Sequence, residues 1–349
     1  MTTFDDLLIW RESSTSGEAI AAALAAATDR PGVAARQLLA TADRIVISGA
    51  GSSYYLAQVA AAAGRAALRR PVAAAPLSEL LLRPEGVLTA GEPVVIISRS
   101  GSTSEAVSVA GAMRDAGHPT IAVTCRAASP LAAAADVTLV SAEGDEDAIV
   151  MTRSFASMLA LLLSVVASAG GDGALAADLD RLPVRFPEAA AAAATGRRLG
   201  ATPWSRIVIL GGGPAYGIAA EWGLKLTETS QIATMAHEPF EFRHGPISVC
   251  EPGMLVIGLV GGPGAAEETA VVEEAARLGA ATWLLARDRD EAAGATGEVS
   301  LIGGGLVPAA RLPLLLHPAH ALASALALTR GTDPDAPRHL GQVVILGSE

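Results

Sequence analysis

Two stretches of this chain concentrate side chains capable of chemistry. The first, Ser98-Arg-Ser-Gly-Ser-Thr-Ser104, carries five hydroxyls within seven residues and runs into Glu105 and a helix-like stretch. A helix N-terminus offers free backbone N–H groups and the positive end of a dipole, and hydroxyls fill the remaining acceptor positions of a phosphate monoester. Ordinary N-capping needs only one hydroxyl. Ser52 and Ser53, in the loop after an earlier apolar run, are placed to complete such a cradle, and Arg99 adds a charge. The second stretch begins with Glu221-Trp-Gly-Leu-Lys-Leu-Thr-Glu228, where Glu221, Lys225 and Glu228 fall at i, i+4 and i+7 on one helix face. A solvated salt-bridge face would look similar. Here, however, the helix is otherwise apolar and leads into His237-Glu-Pro-Phe-Glu-Phe-Arg-His-Gly-Pro246, dense in acids and histidines.

These groups need a scaffold, and an internal repeat supplies it. Ile45-Val-Ile-Ser-Gly-Ala-Gly-Ser-Ser-Tyr54 is similar to Ile207-Val-Ile-Leu-Gly-Gly-Gly-Pro-Ala-Tyr216, an offset of 162 residues. The same offset carries Val94–Ser98 onto Val256–Val260, Gly117–Ile121 onto Gly279–Trp283, and Asp136–Val140 onto Glu298–Ile302. Each unit is a short apolar run of the buried parallel-strand kind, then a Gly or hydroxyl loop, then a helical pattern. The expectation is therefore an α/β protein of two tandem doubly wound parallel-sheet domains, with ligands at the carboxyl ends of the strands. The boundaries read as a helical extension over residues 1–43, a first domain over 44–190 and a second over 196–349, joined near the Ala-rich segment from Glu188 to Thr195. The copies differ at the hydroxyl loop, which becomes Val260-Gly-Gly-Pro-Gly-Ala-Ala266 in the second.

Composition narrows the function. The 349 residues suffice for two domains at roughly 150 residues each. With 51% hydrophobic and only 3% aromatic residues, the cores must be built from Ala, Val, Leu and Ile. A net charge of −11 with no basic tract argues against nucleic acid. Cys125 and Cys250 have no CxxC spacing, so no disulfide framework or zinc site is expected, and His317 and His320 at i, i+3 lack a third ligand and read as structural. Residues 1 to 10 lack signal-peptide regions, and the uncharged stretch from Ser154 to Gly171 holds four serines and reads as a buried core helix, so a cytoplasmic protein without a membrane partner is expected. Gly49-x-Gly51 and Gly211-x-Gly213 each meet a tyrosine where a dinucleotide fingerprint needs its third glycine, so no nicotinamide or other cofactor is expected.

Taken together, the Gly51-Ser-Ser53 loop, Ser98-x-Ser-Gly-x-Thr103, Leu224-Lys-Leu-Thr-Glu228, Arg243-His-Gly-Pro246 and Gly331-Thr-Asp-Pro-Asp-Ala-Pro-Arg-His-Leu340 resemble the sugar isomerase (SIS) family. The resemblance spans about residues 20 to 345, and reaches both the isomerase half of glucosamine-6-phosphate synthase and the stand-alone phosphosugar isomerases, deaminases and deglycases. It implies a flavodoxin-like SIS fold, a phosphosugar substrate, and a homodimer or higher homo-oligomer. It places Ser53, Ser98, Arg99, Ser100 and Thr103 around the phosphate, Glu228 as the base moving a proton between C1 and C2, Lys225 beside that base, and His244 assisting ring opening from the neighbouring subunit. A carboxylate can mediate such a transfer through an enediol or enolamine if burial raises its pKa toward neutrality.

Two departures shape the expected activity. Thr2 follows Met1 where a glutamine-dependent synthase has a cysteine nucleophile, and no glutaminase domain is expected. Gln342, in the tail Pro337-Arg-His-Leu-Gly-Gln-Val343, stands where the family often has a lysine able to form a Schiff base, and Met151-Thr-Arg-Ser-Phe155 looks more like the stand-alone branch. The expected function is aldose–ketose isomerisation of a phosphorylated sugar or amino sugar, with or without loss of an amine. The alternatives are a deglycase and a non-catalytic phosphosugar sensor, although residues 1 to 43 are too short and acidic for a DNA-binding helix-turn-helix.

Overall fold

The structure is a computed structural model describing residues 3–345. It contains two parallel five-stranded sheets. The first consists of β1 (Ile45–Gly49), β2 (Val72–Pro76), β3 (Val94–Ile97), β4 (Thr120–Thr124) and β5 (Val137–Val140), in spatial order β2-β1-β3-β4-β5. The second consists of β6 (Ile207–Gly211), β7 (Thr234–His237), β8 (Leu255–Leu259), β9 (Ala281–Ala286) and β10 (Glu298–Leu301), in the equivalent order β10-β9-β8-β6-β7. All pairings are parallel, so these are the two tandem α/β sheets the repeat announces.

The strands form where they do because β1, β3, β4, β6 and β8 are buried along their whole length and can therefore be continuous apolar runs. Their 162-residue offset persists through the helices: Ser52–Leu68 after β1 corresponds to Ala215–Ser230 after β6, and Ser104–Asp115 after β3 to Ala265–Arg277 after β8. Each sheet reverses direction of construction between its first and third strands, which places two loops side by side at the carboxyl edge.

The chain divides into two compact units whose limits differ from the sequence expectation. One comprises residues 15–183 with 341–345, around the first sheet; the other comprises residues 3–14 with 184–340, around the second. The anticipated extension 1–43 is thus split. Ser13 is the reason at the second sheet: its Oγ lies 2.7 Å from the Nδ1 atoms of both His317 and His320, and the Leu8 and Ile9 N–H groups donate to Asp335 at 2.8 and 3.0 Å. The Ala-rich joint lies inside a helix, Leu182–Gly200, rather than beside one.

Two helical stretches, Arg153–Gly170 and Leu312–Arg330, are long and apolar enough to cross a membrane by composition, yet both are mostly buried. The first is the stretch read as a core helix. Cys125 and Cys250 are both free thiols.

Candidate active site

In the first-sheet unit, the hydroxyl side chains gather at the reversal between β1 and β3. Gly51 caps the helix Ser52–Leu68 with φ +54°, bringing Ser52 and Ser53 into its first turn, where both are buried. After β3 the loop Ser98 to Thr103 feeds the helix Ser104–Asp115; Ser98 and Ser100 are buried, and Ser98 Oγ donates to Thr103 Oγ1 at 3.4 Å. The turn depends on Gly101, at φ +61°, where a Cβ would stand 2.2 Å from Ser129 Oγ. Ser100 Oγ accepts from the Ser102 N–H at 3.1 Å, which tightens the loop. Five of the six phosphate candidates, Ser52, Ser53, Ser98, Ser100 and Thr103, therefore sit on two adjacent loops that each open a helix.

The sixth has another task. Arg99 is 6% exposed, and its guanidinium turns away into the unit: Nη1 donates to Glu146 Oε1 at 3.3 Å and to the Ala148 carbonyl at 2.9 Å, and Nη2 donates to the Gln342 carbonyl at 3.4 Å. Glu146 is the residue missed in the sequence. Its buried carboxylate accepts from the Thr152 N–H at 2.9 Å, from Thr152 Oγ1 at 2.5 Å and from Ser154 Oγ, so it also caps the helix Arg153–Gly170 and complements its dipole. A buried guanidinium seeks a carboxylate more strongly than it seeks solvent. Gln342 in turn donates through Nε2 to the Asp147 carbonyl at 2.6 Å, so the tail residue is fastened by its amide.

In the second-sheet unit, Ile218, Trp222 and Leu226 are buried along the helix Ala215–Ser230, which ends where Gln231 takes a left-handed conformation. The polar face of that helix is also buried. Lys225 Nζ lies 2.5 Å from Glu228 Oε2 and 3.4 Å from Glu221 Oε1, with side-chain exposures of 1% for Lys225, 0% for Glu221 and 18% for Glu228. Burial alone would push Lys225 down, but the two carboxylates more than offset it and hold its pKa above the ordinary lysine value. The ammonium is therefore permanent at neutral pH and a poor imine-forming nucleophile. Glu228 is the only one of the three carboxylate and ammonium groups that reaches the surface. Its setting is an ion pair with Lys225, the lysine that the resemblance places beside the base.

His244 lies just past the helix Pro239–Arg243, exposed, with its N–H donating to the Glu241 carbonyl at 3.1 Å. Nothing within the chain fastens its imidazole among the described contacts. His317 is pushed down to about 4 by burial, and His320 falls well below the usual histidine value, by burial first and then by His317 and Lys225. Both are thus neutral, and the shared Ser13 hydroxyl donates to one Nδ1 while accepting from the other.

Relatives carry the same framework. The chain is 31% identical over 342 residues to the glutamine–fructose-6-phosphate aminotransferase (isomerizing) of Aeropyrum pernix, an alignment covering 88% of this chain and 52% of that one. The chain spans about half the length of the curated relatives of this kind that it matches. Among solved structures, the C-terminal domain of glucosamine-fructose-6-phosphate aminotransferase from Francisella tularensis superimposes with a TM-score of 0.85 at 20% identity, covering 95% of this chain and 99% of that one, a likeness of fold. Glucosamine-6-phosphate deaminase from Thermotoga maritima superimposes with a TM-score of 0.75 at 25% identity, covering 93% and 100%. Residues 38–168 and 202–294 match the SIS domain, one segment on each sheet, and the chain belongs to the SIS domain family.

Proposed function

We propose that this chain is a phosphosugar aldose–ketose isomerase acting on an amino-sugar phosphate, with or without release of the amine. The observation that carries this reading is the hydroxyl-lined double loop at the carboxyl edge of the first sheet, where Ser52, Ser53, Ser98, Ser100 and Thr103 converge at two helix starts. That arrangement suits a phosphate monoester, which would anchor the sugar. The names of the relatives, two aminotransferases of fructose 6-phosphate and a deaminase of glucosamine 6-phosphate, support a nitrogen-bearing substrate.

In this reading Glu228 takes the proton from the carbon next to the carbonyl or imine of the open-chain sugar and returns it to the neighbouring carbon, through an enediol or enolamine. Lys225, fixed between two carboxylates, holds Glu228 in place and stays protonated throughout. His244 assists ring opening in the site of the neighbouring subunit of a homodimer, consistent with its exposure and lack of a partner side chain among the described contacts. The reaction needs no cofactor, and the cytoplasm is its setting.

Proton NMR in D2O against hexose 6-phosphates, glucosamine 6-phosphate and fructosamine 6-phosphates tests the proposal, because it reports exchange, isomerisation and amine release together. Solvent deuterium should enter at C1 or C2 of at least one substrate. A wild-type protein that exchanges and converts none of them is not this enzyme.

A further inference from the structure

The second sheet has the same reversal, between β6 and β8, and the same two loops at its carboxyl edge. The loops are richer in glycine, Gly211-Gly-Gly213 and Gly261-Gly262, so no side chain there holds a ligand off the backbone. A buried cation lines the crevice as well. Arg311 is 2% exposed, and its guanidinium donates to the carbonyls of Ile302 at 3.2 Å, Leu285 at 3.2 Å and Val260 at 2.5 Å. A cavity of about 30 Å3 lies against it, lined in part by Gly212, Pro214, Gly261 and Pro308. By fold and by charge this crevice is laid out for an anion.

The chain's own carboxylates are already there. Gly213 N–H donates to Glu238 Oε1 at 3.2 Å, and Gly262 N–H donates to Glu291 Oε1 at 2.9 Å. Glu268 and Glu238 close over Gly212 together: a Cβ built there would meet Glu268 Oε1 at 2.1 Å and Glu238 Oε2 at 3.6 Å. The 162-residue offset places Ala106 at the position of Glu268 and Pro76 at that of Glu238, so the first sheet has neither carboxylate at its own loops. Glu291 is further engaged with Arg287, whose N–H and Nε both donate to it, whereas Glu238 and Glu268 stand against Gly212, a residue that lines the cavity.

We propose that Glu238 and Glu268 are specificity-determining residues that stand in for an anion at the second crevice and so exclude phosphate from it, confining phosphosugar recognition to the first sheet. The inference rests on the reading of the first-sheet loops as the phosphate cradle. A phosphate approaching the second crevice finds its backbone donors taken and meets two carboxyl groups that must be displaced or protonated before it can enter.

Inorganic phosphate is the probe, followed by calorimetry and phosphorus NMR line width, with circular dichroism as the check on folding. Glu238→Ala/Glu268→Ala frees the donors and removes the charge, and restores at 268 the alanine that the first sheet carries at 106. Glu238→Gln/Glu268→Gln keeps the shape and removes the charge alone, and decides the matter if the alanine pair does not fold. Either pair should bind a second phosphate per chain, and should still bind one when Ser100→Ala/Thr103→Ala is added to disable the first cradle. Folded variants that gain no phosphate in either form overturn the proposal. Undiminished phosphate binding by Ser100→Ala/Thr103→Ala alone would instead sink the first-sheet cradle, and leaves the gain at the second crevice to be read separately.

Discussion

At the end of β3 the first-sheet unit carries Ser98 to Ser104; at the matching end of β8 the second carries Val260 to Ala266, with valine, glycine and alanine where the hydroxyls stood. The strands, their order and the helix positions agree between the two, because buried parallel strands are dictated by apolar runs that both copies retain. What differs is which polar groups reach the carboxyl edge. One edge carries hydroxyls at both of its loops. The other engages the Gly213 and Gly262 N–H groups with Glu238 and Glu291, and Glu228 lies elsewhere, on the flank of the helix Ala215–Ser230. The two copies of the scaffold thus keep the same strands and divide their polar groups differently.

The largest effect that would sharpen this division belongs to Glu228. Glu228→Gln keeps its size and removes the basic group, so turnover and deuterium incorporation should fall together by about 10²–10⁴-fold. Near-normal turnover in this variant would place the base elsewhere. Because Lys225 is held as an ammonium and residue 342 is glutamine, borohydride should trap no adduct with a ketose phosphate.

Next in size is a stability effect confined to the first-sheet unit. Glu146→Ala leaves Arg99 buried without its counter-charge and uncaps the helix Arg153–Gly170, which should cost about 3–5 kcal/mol in chemical denaturation. A cost under ~1 kcal/mol would mean that Arg99 turns to solvent readily. The same experiment on Arg99→Gln should lower stability while changing KM far less than the hydroxyl variants do.

Ser100→Ala/Thr103→Ala should then raise KM for a phosphosugar by roughly 10-fold or more, through lost hydrogen bonds of about 1.5–3 kcal/mol each to a charged group. An unchanged KM with intact folding removes the cradle. The smallest effect is a pH dependence in the second-sheet unit. Burial, with help from Glu238, raises Glu268 to about 7 against an ordinary value of 4.5, opposed by the Gly261 N–H. The folded state therefore holds its proton more tightly than the unfolded state does, and the associated stability is fully present below 4.5 and lost as pH rises through about 7. Urea midpoints measured across that window should fall with pH less steeply in Glu268→Gln than in the parent, and equal slopes would contradict the raised value.

The sequence by itself determined the repeat, the strand positions, the parallel α/β class, the hydroxyl loop and the acid–lysine–acid face, because each is written in local periodicity or in a run of neighbouring residues. A buried strand must be apolar throughout, and a loop rich in hydroxyls announces itself whatever surrounds it. Only the tertiary structure decided how partners distant in sequence share polar groups. Arg99 meets Glu146 and the backbone of Gln342, Ser13 meets His317 and His320, and Glu238 and Glu268 meet over Gly212, and none of these pairs is marked by spacing. A buried charge or donor has to find a partner, but its identity depends on which segments the packing of apolar helices and strands brings within 3 Å or so, and that is a property of the whole folded unit.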